Sequence, residues 1–163
     1  MEIFRSISPE SDDVAIGQES LADAERLNKD YSAAERNYRE ALRIAKKTKN
    51  DDIVASLTGN LAELALDREQ WAEAESLARE ALALAEKVGR HELIALDCHT
   101  LAKALLKQNP VGAGVGADRD PPLQEALTLS RRAVEIFSHL RVPDDLQEAQ
   151  ETLAEIEEKL KEK

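Results

Sequence analysis

Residues 109–122 read Asn-Pro-Val-Gly-Ala-Gly-Val-Gly-Ala-Asp-Arg-Asp-Pro-Pro and hold three of the six glycines and three of the five prolines. Backbone amides in a glycine run can close around a phosphate, so this stretch is the first candidate for chemistry. A phosphate loop, however, needs Gly-x-x-x-x-Gly followed by Lys and Ser or Thr after a strand, and no such pair follows Gly116. A dinucleotide fingerprint needs Gly-x-Gly-x-x-Gly between strand and helix; Gly-Ala-Gly-Val-Gly has the wrong spacing and sits between two helical patterns. The stretch is therefore expected to be a spacer.

Cys98 and His99 are the second candidate, as a thiol–imidazole pair. Neighbours in a helix point about 100° apart, so the two side chains face different ways, and Cys98 is expected in the core. His91, His99 and His139 share no ligand spacing, and a single cysteine rules against a closed zinc site. No serine, base and acid fall on one helical face. The expectation is a non-catalytic chain with no cofactor and no metal.

These candidates sit in a sequence built for helices. The 163 residues are 42% hydrophobic but only 3% aromatic, which makes an aliphatic core of Ala and Leu. A formal charge of −11 repels phosphate backbones and anionic lipid, so neither nucleic acid nor membrane is an expected partner. A neutral or basic protein or peptide fits better. With no signal pattern and no apolar run of spanning length, the cytoplasm is the expected compartment.

The chain also repeats. The segment starting at Ser20 aligns with that starting at Asn60, forty residues on: Leu21 with Leu61, Ala22 with Ala62, Tyr31 with Trp71, Ala34 with Ala74, Ala41 with Ala81. A third copy starts at Thr100, but its second half comes late, Ala126 matching Ala74 at an offset of fifty-two. The twelve extra residues are about the length of the glycine-rich stretch. A fourth copy begins at Thr152, fifty-two beyond Thr100. Apolar residues at helical spacing predict seven helices, over about 13–28, 32–48, 52–67, 71–88, 92–108, 121–139 and 144–161. Asn50-Asp51-Asp52, Gly89 and Val142-Pro143-Asp144-Asp145 punctuate the joints. The small columns Ala22, Ala62, Ala102, Ala154 and Ala41, Ala81, Ala133 would let helices approach within and between repeats. Arg39, Arg79 and Arg131 form a column in the second helices, with Glu35 and Glu75 four residues ahead of two of them, which reads as a solvated salt-bridge stripe.

The pattern aromatic-x-x-Ala-x-x-x-aromatic-x-x-Ala-Leu stands here as "YSAAERNYREAL" (31–42), then "WAEAESLAREAL" (71–82), and more weakly "LQEALTLSRRAV" (123–134). It resembles the second-helix signature of the tetratricopeptide repeat. The period near forty is similar to the extended variety of kinesin light chains and bacterial signalling-ATPase sensor arms. The resemblance implies an all-α, right-handed α-solenoid of antiparallel helix pairs: about three repeats plus a C-terminal capping helix, seven helices in all. The expected division is an N-terminal tail over 1–12 and a repeat domain over 13–163. Its repeats span about 13–52, 53–92 and 93–144, with the insertion 109–122 inside the third and the cap over 145–161.

In such arrays the first helix of each pair lines a concave face that holds an extended peptide. Carried over residue by residue, the implied groove is Glu19, Asp23 and Arg26; then Ser56, Asn60, Glu63 and Leu66; then Leu96, His99, Lys103 and Leu106. Asn60 stands where kinesin-light-chain repeats carry an amide that bonds a ligand's backbone; the alternative is a bond to a neighbouring helix. Ser20, Thr100 and Thr152 occupy the equivalent places. Where other members clamp an acidic chaperone tail with bases, this chain has Glu19, Asp23, Leu96 and Thr100, so such tails should be repelled. The expected function is a protein-interaction scaffold. Its rivals are a sensing arm of a larger signalling ATPase, or a self-associating assembly unit using the terminal helices or the tail with Ile3, Phe4 and Ile7.

Overall fold

The computed structural model describes residues 10–108 and 121–161. These form seven helices: α1 (Asp12–Leu27), α2 (Tyr31–Thr48), α3 (Asp51–Asp67), α4 (Trp71–Val88), α5 (His91–Gln108), α6 (Pro121–Leu140) and α7 (Pro143–Lys161). All seven lie within two residues of the sequence-based ranges.

The starts follow from side-chain oxygens that take up free amides of the first turn. Ser11 accepts from the Val14 amide at 3.4 Å, Asp30 from Ala33 at 3.1 Å and Asn50 from Ile53 at 3.2 Å. The ends are set by single residues in the left-handed region, Lys29, Lys49, Glu69, Gly89 and Arg141. Forty residues separate Lys29 from Glu69 and Lys49 from Gly89, and fifty-two separate Gly89 from Arg141. The backbone therefore repeats the spacing of the sequence. Only at Gly89 does the residue type suit the conformation; at the other four an L side chain tolerates it.

The helices pair as α1/α2, α3/α4 and α5/α6, and successive pairs meet through α2/α3, α4/α5 and α6/α7. First helices also touch their equivalents, α1/α3, α3/α5 and α5/α7, so they share one face of an all-α repeat solenoid. Ala22, Ala62 and Ala102, like Ala41, Ala81 and Ala133, are fully buried where helices cross. Ala154, expected in the first of these columns, is exposed, since no helix among the described residues packs over that side of α7. Leu101 and Ala126 lie in one apolar cluster, which ties α5 to α6 as the repeat alignment requires. Cys98 is fully buried, and burial pushes its thiol up to about 11. The expectations for the tail and for the insertion fall on 1–9 and 109–120, outside the described residues.

The arginine column is real and extends between repeats. Glu35–Arg39 and Glu75–Arg79 pair at 2.8 and 2.9 Å, and Arg131 pairs with Glu157 on α7. Arg79 also reaches Glu125 on α6. Such exposed pairs add only a few tenths of a kcal/mol each, about 0.3–0.5 for those within one helix. Burial of the alanine and leucine columns therefore dominates the stability.

Candidate functional site

Two clefts open on the face that the first helices share. One, of about 180 Å³, is lined by Glu19 of α1, Asp52, Ile53 and Ser56 of α3, and Arg90 and Leu93 at the entry to α5. The other, of about 270 Å³, draws on four helices: Arg26; Glu63, Leu66 and Asp67; Leu96, His99, Thr100 and Lys103; Asp145 and Glu148.

Helical spacing produces this arrangement. Residues three, four or seven apart point the same way, so Glu63, Leu66 and Asp67 form one wall and Leu96, Thr100 and Lys103 another. Ion pairs tie the walls together. Arg26 bridges from α1 to Glu63 at 2.8 Å and Asp67 at 3.2 Å on α3, and Lys103 reaches from α5 to Glu148 on α7 at 2.7 Å. Burial raises the Glu63 carboxyl above its ordinary range against the pull of Arg26, with Asp67 adding to the rise. The Lys103 hydrogen bond holds Glu148 below its usual value. Burial, together with Glu148, Asp144 and Glu92, raises Asp145. His99 is buried, its Nε2 3.0 Å from the Thr152 hydroxyl, and burial depresses it to about 4, so it is neutral near pH 7. The cleft thus sets four carboxylates against two cations.

Between the two clefts Glu19 accepts from the Ser56 hydroxyl at 2.6 Å and from the Asn60 amide at 2.9 Å. Asn60 therefore bonds a neighbouring helix through its nitrogen, which leaves its carbonyl oxygen to accept from another group. Asp23 accepts from the Tyr38 hydroxyl at 2.5 Å, so the fully buried ring of α2 anchors the inner face as well as the core.

The groove residues expected from sequence divide as follows. Glu19 and Ser56 line the smaller cleft, and Arg26, Glu63, Leu66, Leu96, His99 and Lys103 line the larger. Asp23 and Asn60 lie beside them through the bonds just described. Leu106 is the exception: it is fully buried against Leu101, Ala102 and Leu123 in the core, one helical step off the groove face. Thr100, expected as the counterpart of Asn60, also lines the larger cleft; Asp67, Asp145 and Glu148 there, and Asp52, Ile53, Arg90 and Leu93 in the smaller cleft, were not among the expected groove positions. The signal for Glu148 was present, since it stands fifty-two residues after Leu96, the spacing that relates Thr152 to Thr100. α7 is the capping helix and also the fourth copy that begins at Thr152, but the expected groove stopped at α5.

Among the described residues no cluster of three or more His, Cys, Asp or Glu is arranged to hold a metal ion, and no helix is long and apolar enough to cross a membrane. Fold and face together define an α-solenoid with a polar inner groove. Residues 17–52 and 54–88 match the tetratricopeptide repeat, so the chain carries tetratricopeptide repeats. No curated protein matches it. Tetratricopeptide repeats generally mediate protein–protein interaction.

Proposed function

We propose that the chain is a non-catalytic interaction module whose inner face holds an extended peptide or a partner's segment. The observation that carries this reading is the pair of clefts along a face to which α1, α3, α5 and α7 all contribute. Polar groups there have capacity to spare, the Asn60 carbonyl among them, and a main chain offers both donors and acceptors to meet it. Excess acid favours a neutral or basic partner.

Asn60→Arg tests the reading. The longer side chain can still reach Glu19 while filling the groove between the clefts. Peptides selected from a random displayed library on the intact chain, then measured by fluorescence polarisation, should lose about tenfold or more in affinity to this variant. Peptides bound equally by both proteins would place the binding surface elsewhere.

A second reading, self-association through the open first helix, rests on one observation. Leu61 and Leu101 of the later repeats are 4% and 1% exposed, whereas Leu21 in the same column is 43% exposed. Ile16 and Leu27 on the same helix are also exposed. Sedimentation should then show mass rising with concentration, and Leu21→Glu/Leu27→Glu should abolish the rise; a constant monomer mass excludes self-association.

A further inference from the structure

We propose that the larger inner cleft seats one lysine or arginine side chain of the bound peptide, its stem on Leu66 and Leu96 and its cationic head at Asp145 and Glu148. This rests on the groove reading above and names the chemistry of its occupant.

Three independent features lead there. The cleft, at about 270 Å³, is far larger than the roughly 10–15 Å³ that admits one water. Its lining is sorted by polarity as a long basic side chain requires: aliphatic walls for the methylenes and carboxylates for the head. Its charges do not balance either. Arg26 takes Glu63 and Asp67, Lys103 takes Glu148, and no cation of the described chain acts on Asp145, whose surroundings are the acids Glu148, Asp144 and Glu92. An incoming cation relieves that repulsion, whereas an incoming anion adds to it.

Thr100 adds a polar group to these three features. The residue is only 5% exposed and lines the cleft. A hydroxyl there can donate to a carbonyl or accept from an amide of a ligand's main chain. Thr100 would then fix the depth at which the peptide lies, and the carboxylates would choose which side chain enters.

The test uses peptides selected on the intact chain, each resynthesised with citrulline for arginine or norleucine for lysine, which keep length and remove charge. Selected peptides should share one basic position whose neutralisation lowers affinity about tenfold. Asp145→Asn/Glu148→Gln should cause a similar loss with the parent peptide and little further loss with the neutral one. Asp145→Asn alone removes no bond among the described residues, so it keeps the test open if the double variant folds poorly. Peptides that lose binding on Asn60→Arg but ignore both the basic position and Asp145 would overturn this inference and leave the groove reading standing. Peptides indifferent to Asn60→Arg as well, or a selection that returns no binder, would overturn both.

Discussion

The second and third repeats place different residues at one structural position. Leu57 in α3 is fully buried in a cluster with Val14, Ala41 and Leu61, as the column demands. Asp97, forty residues later in α5, is also buried, 3% exposed, and its Oδ2 has no partner. A side chain built on Gly59 of α3 would meet Asp97 Oδ1 at 2.7 Å, so the glycine is what makes room for the carboxylate. Burial and the nearby Glu63 push Asp97 up to about 8. The two seams share backbone geometry but not chemistry: one is closed by hydrocarbon, the other by an acid that must keep its proton to stay inside.

The largest break in this comparison comes from moving the acid. Leu57→Asp removes a leucine from the core and buries a carboxyl with no glycine opposite to receive it. It should lower the free energy of unfolding by about 4 kcal/mol or more, measured by urea denaturation, against a total of about 5–15 kcal/mol for a domain.

Neutralising the acid sharpens the contrast through pH. The folded carboxyl of Asp97 holds its proton to about pH 8, whereas the unfolded one releases it near 3.8. Its contribution to stability therefore falls as pH rises between those values and is level above. His99 acts oppositely: buried at about 4 against 6.5 unfolded, it adds stability as pH rises from 4 to 6.5. Groups common to both proteins cancel in the comparison, so Asp97→Asn should gain on the wild type as pH rises from about 4 to 8 and exceed it by about 2–4 kcal/mol at pH 8. Parallel pH–stability curves for the two proteins would contradict the buried-acid account.

A smaller effect separates the closed repeats from the open end. Ala62→Leu overpacks a full seam and should cost about 1–3 kcal/mol, whereas Ala154→Leu on exposed α7 should stay within about 0.5 kcal/mol of wild type by thermal melting. The smallest lies at the turns. Lys49 holds the left-handed position that Gly89 holds one repeat later, so Lys49→Gly should gain about 0.5–1 kcal/mol. A loss there would mean the lysine side chain has a packing role.

The contrast also explains what could be read in advance. Helices, their pairing and the buried alanines were legible because repetition records the same steric demand several times. The same repetition puts Arg26, Glu63 and Lys103 on α1, α3 and α5 in the lining of one cleft. What escaped notice occurs once. Asp97 breaks its column, and nothing in one sequence says whether a buried acid or a surface turn results. Leu106 lies a fraction of a helical turn off the groove face, which periodicity with uncertain phase does not resolve. Asp145 and Glu148 belong to a half-repeat whose polar composition resembles a plain solvent-facing cap.

The account stands on the third helical pair being the same unit as the first two, lengthened at its bend. Replacing residues 109–122 by Glu-Gln, the pair that follows Arg68 and leads into α4, would restore the forty-residue spacing between α4 and α6. Urea unfolding followed by circular dichroism should then show one cooperative transition with helicity kept. Stability should be equal to the parent or higher by about 1 kcal/mol, because a shorter connection costs less entropy to close. Loss of the α5/α6 helicity, or a separate early transition, would mean that α5 and α6 require the long connection and do not form a third copy of the repeat.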